Sequence, residues 1–223
     1  LRAGKNRFGS AEEIGIFRMA EGGLEEVQDP SGLFLVRRSG GLPAGVAVSA
    51  VHEGSRVILV EIQALVVPAK AGLSRIYSER IDSGRVARVA AVLEKNTGLH
   101  FSDQDLYVNV AGGMRLAEPG IDLALAAALY SARTGLALPD ASALAGELSL
   151  AGEVRPVRQM RRRARAARAL GLDVVLGPGG EEGEGKEWRA VADARAALKA
   201  LFGERAAAPA AQSRTAAAKA ASD

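Results

Sequence analysis

The sequence contains no cysteine, which excludes disulfide bonds and thiolate metal sites. It has two histidines, His52 and His100, which lie far apart in the sequence, so a metal-ligand role is not expected for either. A GxxxxGKS/T phosphate-binding loop is also missing, so no cofactor is expected to bind within these residues. No apolar run has the length of a membrane span and no signal peptide opens the chain. We therefore expect a cytoplasmic protein that does not contact a membrane.

The composition is that of a globular protein. The 223 residues are 48% hydrophobic and 25% charged, which is enough for one or two domains with a sizeable core. The formal net charge of +3 says little about partners. The distribution of the charge along the chain is more informative than its sum.

A central stretch, residues 106–168, has the clearest order of elements. An apolar strand at 106–110 is followed by a turn containing Glu118-Pro119-Gly120 and by an Ala- and Leu-rich helix at 121–133. That helix is apolar almost all round, which predicts burial. A hairpin at 146–157 and an arginine-rich helix at 158–170 complete the stretch.

The flanking residues predict further elements and four regions. Strands are expected at 44–51, 57–66 and 172–176, a short extended segment at 188–191, and helices at 84–96, with Ser83 as N-cap, and at 192–202. We divide the chain into a first region at 1–38, a junction at 39–43, the main domain at 44–202 and a disordered Ala-rich tail at 203–223. The fold class is α/β, with strands and helices in an α+β arrangement.

The order of elements in the central stretch resembles the proteolytic domain of Lon-type proteases. That resemblance implies a catalytic serine on the turn before the buried helix and a lysine on the helix after the hairpin. Gly120 occupies the serine position and Arg161 the lysine position. Glycine carries no nucleophile, and a guanidinium does not act as a base near neutral pH. We therefore expect a degenerate domain without a catalytic dyad.

A second resemblance begins with the motif Lys5-Asn6-Arg7-Phe8-Gly9. Together with Glu13 to Met19, Gly23 to Val27, Val108 to Gly113 and Glu118 to Ala124, this motif is similar to the RadA (Sms) family of bacterial DNA repair proteins. The match covers roughly residues 1–202. Without the family, a Lys-Asn-Arg turn would be interpreted as a solvated loop.

The RadA resemblance implies a longer protein with a zinc finger, a RecA-like ATPase and the Lon-like domain. We expect this chain to be the C-terminal part, with residues 1–38 as the end of the ATPase core. ATP, Mg²⁺ and Zn²⁺ are implied for the full-length protein. The resemblance also implies a hexameric ring, single-stranded and branched DNA as ligands, and the RecA recombinase as a partner. The Lys5–Gly9 loop would couple DNA binding to ATP hydrolysis.

Positive charge is concentrated in the predicted basic helix. No acidic residue occurs between Glu153 and Asp173. Because like charges at helical spacing repel, the pattern indicates an external anion, either DNA phosphates or a neighbouring subunit. Solvation, or ion pairs with the acidic loop at 181–184, is the alternative. The arginines concerned are Arg155, Arg158, Arg161, Arg162, Arg163, Arg165 and Arg168.

Lys70 and Arg75 precede Tyr77 in a polar stretch, which is typical either of nucleic-acid contact or of an exposed loop. The expected function is DNA contact and assembly within a ring-shaped, ATP-driven motor that carries out branch migration of recombination intermediates. A Ser-Lys peptidase and a purely structural oligomerisation domain remain as alternatives.

Overall fold

A computed structural model describes residues 17–20, 22–26, 34–36, 38–54, 56–70, 74–180 and 184–207. The strands are β1 Phe17–Ala20, β2 Gly23–Glu26, β3 Val46–Glu53, β4 Arg56–Pro68, β5 Ile76–Ser78, β6 Gln104–Val110, β7 Ser142–Leu144, β8 Glu147–Leu148, β9 Val154–Arg155, β10 Val174–Gly177 and β11 Arg189–Ala190. The α-helices are α1 Ser83–Thr97, α2 Asp122–Thr134, α3 Met160–Ala169 and α4 Ala194–Phe202.

Seven of these strands form one mixed sheet in the order β11-β10-β7-β3-β4-β6-β5. The β3–β4 and β4–β6 pairs are antiparallel, and the other four neighbouring pairs are parallel. Two short antiparallel hairpins, β1–β2 and β8–β9, lie outside this sheet. The α/β class predicted from the sequence is confirmed.

Alternation of side chains along β3 gives the sheet two buried faces. Ala47 and Val51 join the larger apolar cluster, which also contains the buried residues of α1, α2 and α4. Val48 and Ala50 join a second cluster with Met160, Ala164 and Ala167 of α3. Helices therefore cover both faces of β3, and α3 is the helix on its second face.

The predicted central helix is confirmed as α2, and residues 122–131 of it are all buried. The strands predicted around 44–51, 57–66 and 106–110 correspond to β3, β4 and β6. Two strands, β5 and β7, were not predicted. Both are only three residues long, and β5 lies within a stretch that we expected to be irregular.

The predicted N-cap of the first helix is wrong by one residue. Asp82, not Ser83, is the N-cap of α1, and its side chain accepts a hydrogen bond from the Arg85 backbone nitrogen at 2.9 Å. The basic helix begins at Met160 rather than at 158, because Gln159 adopts a left-handed backbone conformation with φ of 57°. After α4 a 3₁₀ turn covers Gly203–Ala207. The Lys5–Gly9 motif and residues 208–223 lie outside the described residues.

Candidate functional site

Helix α3 carries the basic residues singled out in the sequence. Its inner face is made of Met160, Ala164 and Ala167, all buried against the sheet. Two of these three residues are alanines, so the inner face of the helix presents little side-chain volume to the sheet. Five of the other seven positions carry arginines. Together with Arg155 and Arg158, which precede the helix, these arginines fall into three groups according to their environments.

Arg163 forms the first group and points inwards. Its side chain is only 1% exposed. The guanidinium donates to the Ala50 carbonyl at 2.6 Å and the Arg158 carbonyl at 2.8 Å, and it forms a close ion pair with Glu118. Arg163 is therefore a structural residue, and we remove it from the predicted outward contact surface.

The second group surrounds Glu187, which lies just before β11. The Arg165 guanidinium donates to both carboxylate oxygens of Glu187 at 2.9 Å, and Arg161 donates to Oε1 at 3.0 Å. Arg168 donates to the Glu187 carbonyl at 2.8 Å. Hydrogen bonds from Arg165 and then Arg161 lower the pKa of Glu187 below its ordinary value.

This cluster changes the interpretation of the acidic loop. The sequence analysis gave residues 181–184 as one alternative partner of the arginines. Residues 181–183 lie outside the described residues, and the Glu184 carboxylate accepts a hydrogen bond from the Gly180 nitrogen at 2.6 Å. Glu187 of the same chain is the carboxylate that Arg161 and Arg165 contact.

The third group consists of exposed arginines without a close carboxylate in the described residues. Arg158 precedes the helix, and its side chain is exposed. Arg162 is exposed on α3 and donates to the Gln159 side-chain oxygen at 3.0 Å. Arg155 lies 4.0 Å from Glu153, at the outer limit of an ion pair. Arg158 and Arg162 therefore leave positive charge that the described part of the chain does not neutralise.

The position expected for a catalytic dyad is occupied by an ion pair. Gly120 is buried in the 3₁₀ turn before α2, and a Cβ atom placed on it would lie 2.8 Å from the Glu118 Oε1 atom. Glu118 is held there by Arg163 and by the His52 backbone nitrogen, which donates at 2.9 Å. The order of elements in the sequence assigned the lysine position to Arg161. In the structure Arg163 reaches this turn, whereas Arg161 contacts Glu187.

The serines considered in the sequence are engaged in local structure. Ser131 in α2 is buried, accepts from the Gly45 nitrogen at 2.8 Å and donates to the Leu136 carbonyl. Ser149 accepts from the Glu153 nitrogen and donates to its carboxylate, both at 3.1 Å. Within the described residues, neither serine has a lysine among these hydrogen-bond partners. Both hydroxyl groups therefore stabilise turns.

A buried acid that the sequence analysis missed lies beside this turn. Asp122, the first residue of α2, is fully buried and pairs with Arg85 at 2.9 Å and Arg88 at 3.1 Å. Its second oxygen also accepts from the Leu148 nitrogen at 3.3 Å. Burial raises the pKa of Asp122, although the two arginines oppose the rise. The i,i+3 spacing of Arg85 and Arg88 was the available signal, but nothing in the sequence assigned them a partner.

Lys70 and Arg75 do not join the α3 surface. Both are exposed, after β4 and before β5 respectively, and β5 is the edge strand furthest from β10 and β11. Two exposed tyrosines lie beside Arg75. The rings of Tyr77 and Tyr107 stack with centroids 4.5 Å apart and an angle of 9° between their planes.

Two further properties concern the described residues. They contain no group of three or more histidine, aspartate and glutamate side chains that would hold a metal ion. Their helices are too short or too polar for any of them to cross a lipid bilayer.

Comparison with known proteins gives two kinds of similarity. Residues 80–180 match a family model described as subunit ChlI of Mg-chelatase. The chain is 57% identical over 182 residues to the DNA repair protein RadA of Treponema pallidum, which is 82% of this chain and 40% of that protein. It is 47% identical over 189 residues to RadA of Brucella abortus, with 85% and 40% coverage. With RadA of Bacillus subtilis the identity is 44% over 208 residues, with 91% and 45% coverage. The chain thus spans less than half the length of the curated relatives it matches.

Proposed function

Because this chain matches the C-terminal part of RadA proteins over most of its length, we propose that it acts in DNA repair, as the DNA-contacting and assembly region of a larger protein. The relatives are named DNA repair proteins, and the chain is 44–57% identical to the three compared. The observation that carries the DNA contact is the exposed positive charge of α3 and the residues just before it. We call Arg155, Arg158, Arg162, Arg165 and Arg168 the α3 basic face.

The charge balance of the α3 basic face supports a polyanionic ligand. Glu187 contacts Arg161, Arg165 and Arg168, but a single carboxylate neutralises a single positive charge. Arg158 and Arg162 have no carboxylate partner in the described residues. Arginine side chains that neutralise phosphates release condensed counterions, which favours binding at low salt. Glu187 orients the neighbouring guanidinium groups in advance, so less side-chain entropy is lost on binding.

The whole protein would be a ring-shaped, ATP-driven motor, with this chain as its C-terminal part. In this proposal ATP and Mg²⁺ bind a RecA-like core, Zn²⁺ binds a separate finger, and the ring carries out branch migration on single-stranded and branched DNA in the cytoplasm. It would act beside the RecA recombinase. This chain has neither a phosphate-binding loop nor a cysteine, so those groups would be held by other residues. Lys5, Asn6, Arg7, Phe8 and Gly9 would form the coupling loop between DNA and ATP hydrolysis.

Peptidase activity is not part of the proposal. Gly120 has no hydroxyl group, and the Glu118–Arg163 ion pair fills the space beside it. An arginine does not accept the proton that a serine nucleophile must lose. A serine-directed probe should therefore leave the chain unlabelled, and labelling of any serine would contradict this assignment.

A structural role without DNA is the second candidate, and the Glu187 cluster favours it. Three arginines of α3 already bind Glu187, so part of the basic sequence serves the chain's own packing. Direct measurement of DNA binding by this chain separates the two functions. We expect binding at about 50 mM salt that weakens by orders of magnitude at about 200 mM. No binding at the lower salt concentration would favour the structural role.

The motor is tested separately in the full-length protein. Arg7→Ala should abolish the stimulation of ATP hydrolysis by DNA, because the coupling loop would lose the guanidinium that senses a phosphate. Arg158→Ala with Arg162→Ala should leave the basal ATP hydrolysis rate unchanged and weaken DNA binding. Unchanged DNA stimulation in Arg7→Ala would contradict the role proposed for the loop.

A further inference from the structure

The edge strand β5 has one unpaired side. It is the last strand of the seven-stranded sheet, and within the described residues it pairs only with β6. The Arg75 carbonyl accepts from the Leu106 nitrogen at 2.8 Å, so Arg75 and Tyr77 direct their backbone groups to β6. In a ladder of this kind, Ile76 and Ser78 then direct theirs away from the sheet. Such an edge is a template for another strand.

An exposed row of large side chains ends at this edge. Leu65, Tyr107 and Tyr77 are directly in register on β4, β6 and β5. They are 55%, 39% and 44% exposed, and they line an open groove of about 610 Å³. Large side chains that lie exposed in one continuous row are typical of an interaction surface.

The charges around Tyr77 indicate which partner fits. Arg75 lies two residues before it and Glu79 two residues after it, and both are exposed. A second β5 in the opposite direction, centred on Tyr77, would bring each Arg75 next to a Glu79. In the same arrangement Ile76 would face Ser78, and their outward backbone groups would form the hydrogen-bonded pairs of an antiparallel ladder.

We propose that β5 pairs antiparallel with β5 of a second copy of this chain, about a twofold axis at Tyr77. The two seven-stranded sheets then become one continuous sheet, and the row of Leu65, Tyr107 and Tyr77 continues into its copy. A nucleic-acid strand is the competing occupant of an exposed tyrosine pair. The near balance of Arg75 with Glu79 and Asp105 favours the second copy, because a phosphate chain requires surplus positive charge.

This contact is independent of the proposed function. A twofold contact uses the same surface on both copies, whereas a ring of more than two subunits closes through two different surfaces. The β5 contact would therefore join two copies of any assembly that the chain forms through other surfaces, including two rings.

A single cysteine tests the axis directly, because the chain has no cysteine of its own. At a non-hydrogen-bonded antiparallel pair the Cα atoms lie about 4.5 Å apart, within the disulfide range of roughly 4.4–6.8 Å. Tyr77→Cys should form a disulfide-linked dimer under mild oxidation. Leu150→Cys, at a hairpin tip where the native side chain is 76% exposed, should stay unlinked. No linkage through position 77, or equal linkage at both positions, would overturn the proposal.

Charge reversal tests the pairing of Arg75 with Glu79. Arg75→Glu and Glu79→Arg should each weaken the association by on the order of tenfold and halve the mass seen by light scattering. The double variant Arg75→Glu with Glu79→Arg should restore both the strength of the association and the mass. If both single variants kept the mass of the native chain in light scattering, the twofold contact would be overturned. If, in addition, Tyr77→Ala weakened binding to an oligothymidine strand, the row would be a nucleic-acid surface instead.

Discussion

At the scale of single residues, Glu118 and Arg163 determine what the turn before α2 can do. Arg163 is buried, and its guanidinium links α3 to the Ala50 carbonyl of β3 and to Glu118. The same carboxylate occupies the space next to Gly120. One ion pair therefore stabilises the packing of α3 and fills the position at which a Lon-like domain would carry its nucleophile.

Removal of one partner should be costly. Glu118→Ala leaves the Arg163 guanidinium buried without its carboxylate, and we expect a loss of about 3–5 kcal/mol in the free energy of unfolding. Urea denaturation measures this loss in the free energy of unfolding. The matched control is Glu147→Ala, which removes a carboxylate from the nearby hairpin and should change stability by less than about 1 kcal/mol. Equal effects of the two substitutions would contradict the structural role of the pair.

Glu61 gives the chain a defined response to acid. Burial alone would raise the pKa of Glu61, but hydrogen bonds from Arg38 and Gln63 outweigh it and hold the pKa below the ordinary value of 4.5. A carboxyl with a lowered folded pKa stabilises the fold above its unfolded pKa, and that contribution is lost as the pH falls through the folded value. The raised pKa of Asp122 has the opposite effect on how the stability of the fold changes with pH.

The stability difference between the native chain and Glu61→Gln should therefore depend on pH. It should be largest at about pH 6–7 and shrink as the pH falls below the ordinary glutamate pKa, because the unfolded chain is protonated before the folded carboxyl is. Urea denaturation at a series of pH values measures the difference. A difference that stays constant down to about pH 3 would show that the Arg38–Glu61 ion pair does not stabilise the fold.

At the scale of elements, the N-cap of α1 is a sharp test of local structure. Asp82→Ala removes the acceptor for the Arg85 nitrogen and should cost about 0.5–2 kcal/mol of unfolding free energy. Ser83→Ala should cost little, because Ser83 is already inside the helix and its hydroxyl has no capping role. Thermal unfolding of the two variants decides between them, and a larger effect at Ser83 would restore the cap assigned from the sequence.

The sequence predicted the long elements well because their patterns are strong. The apolar helix α2 and the strands β3 and β4 contain continuous apolar or β-branched runs, and β6 alternates buried and exposed residues from Leu106 to Val110. The short strands β5 and β7 have no such pattern. They are held by neighbours distant in sequence, as when Ser49 of β3 pairs with Leu144 of β7.

The same limit applies to the site. The arginine cluster was evident from composition, but the inward direction of Arg163 and the binding of Arg165 to Glu187 depend on tertiary contacts. A helix of arginines appears in the sequence as one basic block. Packing divides it into a buried arginine, a group paired with Glu187 and an exposed remainder.

At the scale of the whole molecule, charge and apolar surface lie in different places. Helix α3, whose outer side carries the α3 basic face, packs on β3 beside β7, β10 and β11, whereas the exposed row with Tyr77 lies at the opposite edge on β5. A DNA contact at α3 and a twofold contact at β5 are therefore compatible within one assembly. Variants that abolish DNA binding at α3 should therefore still form the β5 contact, and variants that abolish the β5 contact should still bind DNA.

The most direct test of the central claim is the salt dependence of DNA binding by charge variants. Arg158→Ala with Arg162→Ala removes two exposed arginines that have no carboxylate partner in the described residues. Lys95→Ala with Arg115→Ala is the matched control, because it removes the same charge from exposed positions outside α3. We expect the first pair to weaken binding to all duplex sequences alike and to flatten the log-log salt slope by roughly 0.9 for each phosphate that is no longer neutralised, and the control to leave the slope unchanged. Equal slopes for the two variants would contradict DNA binding by the α3 basic face.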